Sequence, residues 1–188
     1  MKKIDRFIQS WRIKIALKAL GSDVRVIDVG SHNGELFKAL GSRLKEGFGI
    51  EPLCTHKHVS KRYTLAPGYF PNQSPESLGW DAITMLAVLE HIPQNKQIEI
   101  VQACHNFLKI GGLVIITVPS PMVDYILKML CLLKIINGMS LEEHYGFKPE
   151  QTTGIFCLPL FRLIKHKRFQ LGLNNLFIFE KIDNPINK

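Results

Sequence analysis

Asp28 closes an apolar run, Val24-Arg25-Val26-Ile27-Asp28-Val29, and Gly30, Ser31, His32, Asn33 and Gly34 follow it. The β-branched run has the composition of a buried strand. The glycines punctuate a turn, and 35–40 then reads as a helix. Such a turn, at the carboxyl end of a strand, is where open α/β sheets bind ligands. Glycine lets a ligand approach the main chain closely and reaches backbone angles barred to other residues. The Asp28 carboxylate can accept hydrogen bonds from a cationic amino group. About twenty residues on, the interval usual in βαβ units, Gly47-Phe48-Gly49-Ile50-Glu51-Pro52 reads as a second strand ending in a carboxylate. A doubly wound sheet places Glu51 beside Gly30, where it can accept both hydroxyls of a ribose. The nicotinamide fingerprint Gly-x-Gly-x-x-Gly does not fit, because position 32 is His and the glycines stand at 30 and 34.

Two further segments complete a pattern. Trp80-Asp81-Ala82-Ile83-Thr84-Met85-Leu86-Ala87-Val88-Leu89-Glu90-His91 is a strand with a following acidic-basic loop. Leu108-Lys109-Ile110-Gly111-Gly112, then Leu113 to Pro119, is a sharp turn feeding another β-branched strand. In this order and spacing, over roughly residues 24–120, the motifs resemble those of class I S-adenosylmethionine (SAM)-dependent methyltransferases. His32 stands where that family usually has its middle glycine, and Ile110 where it usually has proline. The resemblance implies an α/β fold: a Rossmann-like, doubly wound, mostly parallel seven-stranded sheet with an antiparallel last strand and helices on both faces. It implies SAM as cofactor. Asp28, Gly30, Ser31, His32, Asn33 and Gly34 would wall its methionine side, Glu51 with Pro52 would hold the ribose, and Met85, Leu86 and Ala87 would floor the site near the sulfonium. Two rivals remain: a protein that kept the fold but lost methyl transfer, and another nucleotide-binding α/β enzyme such as a nicotinamide reductase.

Methyl transfer is an in-line displacement, helped mainly by alignment of nucleophile and methyl. An oxygen nucleophile gains further from a general base, and histidine titrates in the useful range. His91, after the fourth family strand, and His144, which begins His-Tyr-Gly-Phe-Lys-Pro-Glu, are the candidate bases. Each has an alternative use in capping a helix or satisfying backbone carbonyls. Cys54, His56 and His58 are close in sequence, but on a helix 56 would point away from 54 and 58, so no metal site is expected.

The elements that must position these residues follow from periodicity. A helix is expected over 4–20. Strands are expected near 24–29, 46–51, 62–66, 80–86 and 112–118, with helices between most of them, the clearest at 94–108. A helical stretch over 122–136 and a short helix after Pro149 precede two closing strands, 160–169 and 175–181. The last pair is too closely linked for a parallel crossover. The length of 188 residues and 46% hydrophobic content fit a single globular domain spanning 1–188. Its parts are an amphipathic helix (1–21), a SAM-binding core (22–120), a substrate-side helical insertion (121–158) and closing strands (159–182). Cys54, Cys104, Cys131 and Cys157 show no paired spacing and read as reduced thiols, which points to the cytoplasm. No secretory signal is expected, and no uninterrupted apolar run of about twenty residues suggests a spanning helix.

The net charge of +8 invites an acidic partner. Lys2, Lys3, Arg6, Arg12, Lys14 and Lys18 crowd the first helix, and Ile4, Phe7, Ile8, Trp11, Ile15 and Ala19 share one face of it. Such a helix either packs on the domain over the cofactor cleft or lies on an anionic membrane surface. Nucleic acid is a poorer partner, since no recognition motif is present. The stretch 122–136 is apolar almost all round, broken by Lys128 and Lys134. It must be buried, cover an apolar ligand, pair with another subunit or touch lipid. The acceptor is thus expected to be a small or a lipid-linked molecule, and the oligomeric state stays open.

Overall fold

The computed structural model describes residues 3–120, 147–156 and 159–183, with side chains from residue 6 onward. Helix α1 (Lys3–Leu17) is followed by strand β1 (Val24–Val29), helix α2 (Glu35–Leu40) and strand β2 (Leu44–Glu51). Strands β3 (His58–Val59), β4 (Tyr63–Pro67) and β5 (Trp80–Leu86) come next. Helix α3 (Gln94–Phe107), strand β6 (Leu108–Pro119), the short helix α4 (Gln151–Ile155) and strands β7 (Phe161–Phe169) and β8 (Asn174–Lys181) complete the order. The eight strands form one sheet in the order β3-β4-β2-β1-β5-β6-β8-β7. The pairs from β4 through β6 are parallel, whereas β8 is antiparallel to both β6 and β7.

Among the described residues the sheet therefore has eight strands, against the seven expected. The extra one is the two-residue β3, antiparallel to β4 at the edge. Helices are expected between most of the strands, and none forms in the two connections that flank β4. Pro52, Pro71 and Pro75 interrupt those connections, and proline cannot continue a helix. The stretch carrying Cys54, His56 and His58 is accordingly loop and edge strand, with the Cys54 thiol donating to the His56 carbonyl at 2.9 Å. The region 122–136, His144, Cys131 and Cys157 lie outside the described residues.

Strand alternation sorts the core into two layers. Val24 and Val26 face α1 and α2, joining Ile13, Ala16, Leu36, Phe37, Leu176 and Ile178. Ile27 and Val29 face α3 and α4, joining Ile83, Met85, Ile100, Phe156, Phe177 and Phe179. Burial on both faces explains why β1, β5 and β6 read as nearly continuous apolar runs. The buried side of α1 overlaps the expected face only in part, through Ile15. Ile13, Ile15, Ala16 and Leu20 are buried, whereas Phe7 and Trp11 point outward, 61% and 37% exposed. No helix among the described residues is long and apolar enough to cross a membrane.

Candidate functional site

The turn after β1 is pinned to the end of β2. Gly30 and Ser31 donate their backbone N–H groups to the Ile50 carbonyl at 2.8 and 3.2 Å. Glu51, one residue on, takes the next donors. One carboxylate oxygen accepts from the His32 N–H at 2.9 Å and the other from the Leu53 N–H at 3.0 Å. A carboxylate offers about four acceptor positions, so Glu51 keeps capacity for further donors while its own position is fixed. Gly30 takes φ +75, and a Cβ there would lie 2.5 Å from a methyl of Val88. The demand for glycine at this position comes from its backbone angle and from Val88.

Two cavities meet at Gly30 and Ala87. The larger, about 640 Å³, is mostly apolar and is bounded by Glu51, Pro52, Tyr69, Phe70, Val88 and His91. The smaller, about 230 Å³, is lined by Gln9 and Arg12 from α1, Asp28, Ser31 and Glu35 from the β1 end, and Leu86. Asp28 is buried and accepts from the Thr84 hydroxyl at 2.5 Å. Burial pushes its carboxyl up to about 7, with Thr84 opposing and the charges of Glu35 and Glu51 adding to the rise. The Ser31 hydroxyl is buried at the same wall with no hydrogen-bond partner among the described residues. Burial lowers the Arg12 guanidinium below its ordinary value, against the pull of Glu90. Its Nε–H donates to Asn174 at 3.2 Å. Glu90 is itself buried, and desolvation pushes it up to about 7 despite the Arg12 charge. One Glu90 oxygen has no hydrogen-bond partner among the described residues.

The structure thus brings Asp28, Gly30, Ser31, Glu51, Pro52, Leu86, Ala87 and His91 to the walls of the two cavities. Other expected site residues stand elsewhere. Met85 is fully buried in the core and lines neither cavity, because alternation along β5 turns it toward α3. The side chains of His32 and Asn33 turn toward each other, 2.7 Å apart, and His32 Nδ1 lies 3.4 Å from Glu35. His32 contributes its backbone instead. It adopts φ +48, the left-handed region a glycine would favour, and still donates to Glu51. Gly34, at φ +75, opens α2 and packs against Tyr63. The residues not foreseen are Arg12, Gln9, Glu35, Val88, Tyr69 and Phe70. Arg12 stood in the sequence only as one of several basic residues on the first helix, and its side-chain direction depends on how α1 docks.

A nucleotide-like ligand with an amino-acid end suits these walls. Glu51 offers acceptors for vicinal hydroxyls. The apolar lining of the larger cavity suits a base. Asp28, Ser31 and Arg12 offer an acceptor, an unused hydroxyl and a cation for an ammonium and a carboxylate. The sheet order defines a Rossmann-like α/β class. The chain matches the methyltransferase-domain family over residues 2–156 and belongs to it. No curated protein matches the sequence significantly. Among solved structures, the complex of the Trm112 methyltransferase activator with a methyltransferase from Haloferax volcanii aligns at TM-score 0.70 and 12% identity, covering 95% of this chain and 93% of that one. A SAM-dependent methyltransferase from Archaeoglobus fulgidus aligns at TM-score 0.63 and 14% identity, over 94% of both chains. Magnesium protoporphyrin IX methyltransferase from Synechocystis, with bound SAH, aligns at TM-score 0.62 and 11% identity, covering 94% of this chain and 82% of that one.

Proposed function

We propose that the protein binds SAM across the two cavities and transfers its methyl group to a small or lipid-linked acceptor. The observation that carries this reading is the convergence of Gly30, Glu51, Asp28, Ser31 and Arg12 on one pair of cavities that meet at Ala87. Bound there, the sulfonium supplies an electrophilic methyl with a neutral leaving group. The chain supplies position. Glu51 accepts from the ribose, Arg12 pairs with the carboxylate, and Asp28 with Ser31 holds the ammonium. His91, on the wall of the larger cavity, is the proposed base for an oxygen acceptor.

The departure at His32 does not oppose activity, because the backbone there already takes the conformation for which glycine is usual. Calorimetry with SAM, NAD and NADP tests the cofactor; SAM alone should bind. Labelled SAM, offered with cell extract and followed by phase separation, tests transfer. SAM binding without labelled product in either phase would favour the silent binding protein. His91→Ala should cut turnover about 10²–10⁴-fold with SAM affinity kept. Near-normal turnover in that variant would leave alignment alone, or another base, as the source of catalysis.

A further inference from the structure

The outward stripe of α1 carries Phe7, Trp11, Lys14 and Lys18, three to four residues apart and all exposed. The Phe7 and Trp11 rings meet edge to face, 5.8 Å apart. Large aromatics normally turn toward the core; here the core side of α1 is already filled by Ile13, Ile15 and Ala16. The turn between β7 and β8 lies against this half of the helix. Gln170 donates to the Ile8 carbonyl at 3.2 Å, and Arg12 donates to Asn174. Leu171, in that turn, is 98% exposed. On β7, Lys165 and Lys167 pair with Ile178 and Leu176, whose side chains join the α1 layer, so both lysines project from the same sheet face as α1. Residues 6–21 and 161–175 together contain eight Lys or Arg and no Asp or Glu.

We propose that this face, with Phe7, Trp11 and Leu171 inserted and Arg6, Lys14, Lys18, Lys165 and Lys167 at the headgroups, seats the protein on an anionic phospholipid bilayer. Arg162 is paired with Glu180 and Asp5 precedes Arg6, but Arg6, Lys14, Lys18, Lys165 and Lys167 have no acidic partner among the described residues, and exposed aromatics among such cations are what an interfacial helix requires. A nucleic-acid surface would use the same charge but has no need of a fully exposed leucine. Ser120, just past the end of β6, donates its backbone N–H to the Leu173 carbonyl in this turn at 2.8 Å. Asn174 pairs with Pro119, at the carboxyl end of β6, so the face adjoins the end of the sheet that holds the cavities. A bilayer docked there would present a lipid-borne acceptor to that end. This last extension rests on the methyl-transfer reading, whereas the bilayer contact does not.

Sedimentation with phosphatidylcholine vesicles, with and without phosphatidylglycerol, tests the contact without any enzymatic readout. The protein should sediment with the anionic vesicles at low salt and be released by salt. Trp80 is fully buried, so a blue shift of tryptophan fluorescence on vesicle addition reports Trp11. Phe7→Ser with Trp11→Ser should weaken binding more than tenfold, and Lys165→Glu with Lys167→Glu by about fivefold per lysine or more. Leu171→Ser, at a position with almost no contacts to lose, should weaken it severalfold with an unchanged melting temperature. No sedimentation at low salt overturns the proposal. So does binding that survives all three changes, or retention on heparin with none on vesicles, which would assign the cations to a nucleic acid or an acidic protein. Vesicle binding by a protein that transfers no methyl group would retain the surface and reject only the proposed reaction.

Discussion

Asp28 is held in a state of tension that pH can read. Its carboxyl is pushed up to about 7 by burial, from an ordinary 3.8. The folded chain therefore binds a proton that the unfolded chain releases between those values. The stability tied to this proton is full below about 4 and is lost as pH rises through about 7. Asp28→Asn keeps a side chain able to bond Thr84 and removes the ionisation. Its melting temperature should match the parent near pH 4 and exceed it near pH 8, by an amount equivalent to about 4 kcal/mol at most. Equal melting curves at pH 8 would show that Asp28 is not desolvated as described. The same group should link SAM binding to protons. An ammonium beside Asp28 favours the carboxylate, so binding near pH 6 should release a proton, and calorimetry in buffers of different ionisation enthalpy should lose that release in Asp28→Asn.

Glu51 and His32 form a second pair whose roles divide between side chain and backbone. Glu51→Ala removes the proposed acceptor for the ribose and also frees the His32 and Leu53 N–H groups. SAM affinity should fall about ten- to a hundredfold, as for a charge-assisted hydrogen bond of roughly 1.5–3 kcal/mol. His32→Gly keeps the N–H and eases φ +48, so affinity should stay within about tenfold. Titration calorimetry on both variants decides. Unchanged affinity in folded Glu51→Ala removes the ribose role, and total loss in His32→Gly makes the imidazole an essential contact. Asp28, Gly30 and Glu51 were legible in the sequence because a strand end, a turn and a carboxylate define a place as well as a chemistry. Met85 stands in the core rather than on a cavity wall because one step along a strand reverses the face. Arg12 was not legible as a site residue because its direction follows from the docking of α1, which local pattern does not encode.

Helix ends show the same limit one scale up. The positions of α2, α3 and α4 follow from periodicity and from glycine and proline punctuation, whereas the arrangement of the sheet is what the family resemblance implies. The partners of the terminal carbonyls follow from neither. Arg43 donates to the Leu17 and Gly21 carbonyls at 3.0 Å each, and to that of Leu20, closing the exit from α1. Lys181, from the last strand, donates to the carbonyls of His105 and Leu108 at 2.6 and 2.8 Å, closing α3. Cations at a helix carboxyl end satisfy orphan carbonyls and complement the helix dipole. Both come from elements remote in the chain, so no local capping signal announces them. Arg43→Ala should cost about 1–2 kcal/mol and lower the melting temperature by roughly 2–8 °C for a domain of this size. Arg43→Lys, which cannot reach three carbonyls in one plane, should recover only part of it. A melting temperature unchanged in Arg43→Ala would mean that water closes this helix end as well as the guanidinium does.

At the scale of the whole molecule, the site ties together elements that otherwise touch weakly. The sheet is continuous, but α1 meets it through one apolar stripe and a few polar contacts such as Arg12 with Asn174 and Gln170 with Ile8. The proposed carboxylate contact of Arg12 would bridge α1 to the β1 and β5 ends through the ligand. A ligand that binds only the folded state stabilises it by about 2.7 kcal/mol at a hundred times its dissociation constant. If Arg12 takes part, that stabilisation must reach α1 and not only the loop after β1. Hydrogen exchange should therefore slow in the backbone amides of α1 as well as at 30–34 when SAM is added. In Arg12→Ala the slowing at 30–34 should persist with weaker affinity, while that of α1 should vanish. Protection confined to 30–34 in the parent protein would place the ligand's carboxylate away from α1. Arg12 would then serve to balance the buried Glu90, whose carboxyl is pushed up to about 7 even with that cation near. In that case Arg12→Ala would leave SAM affinity unchanged and raise the pH at which Glu90 takes its proton.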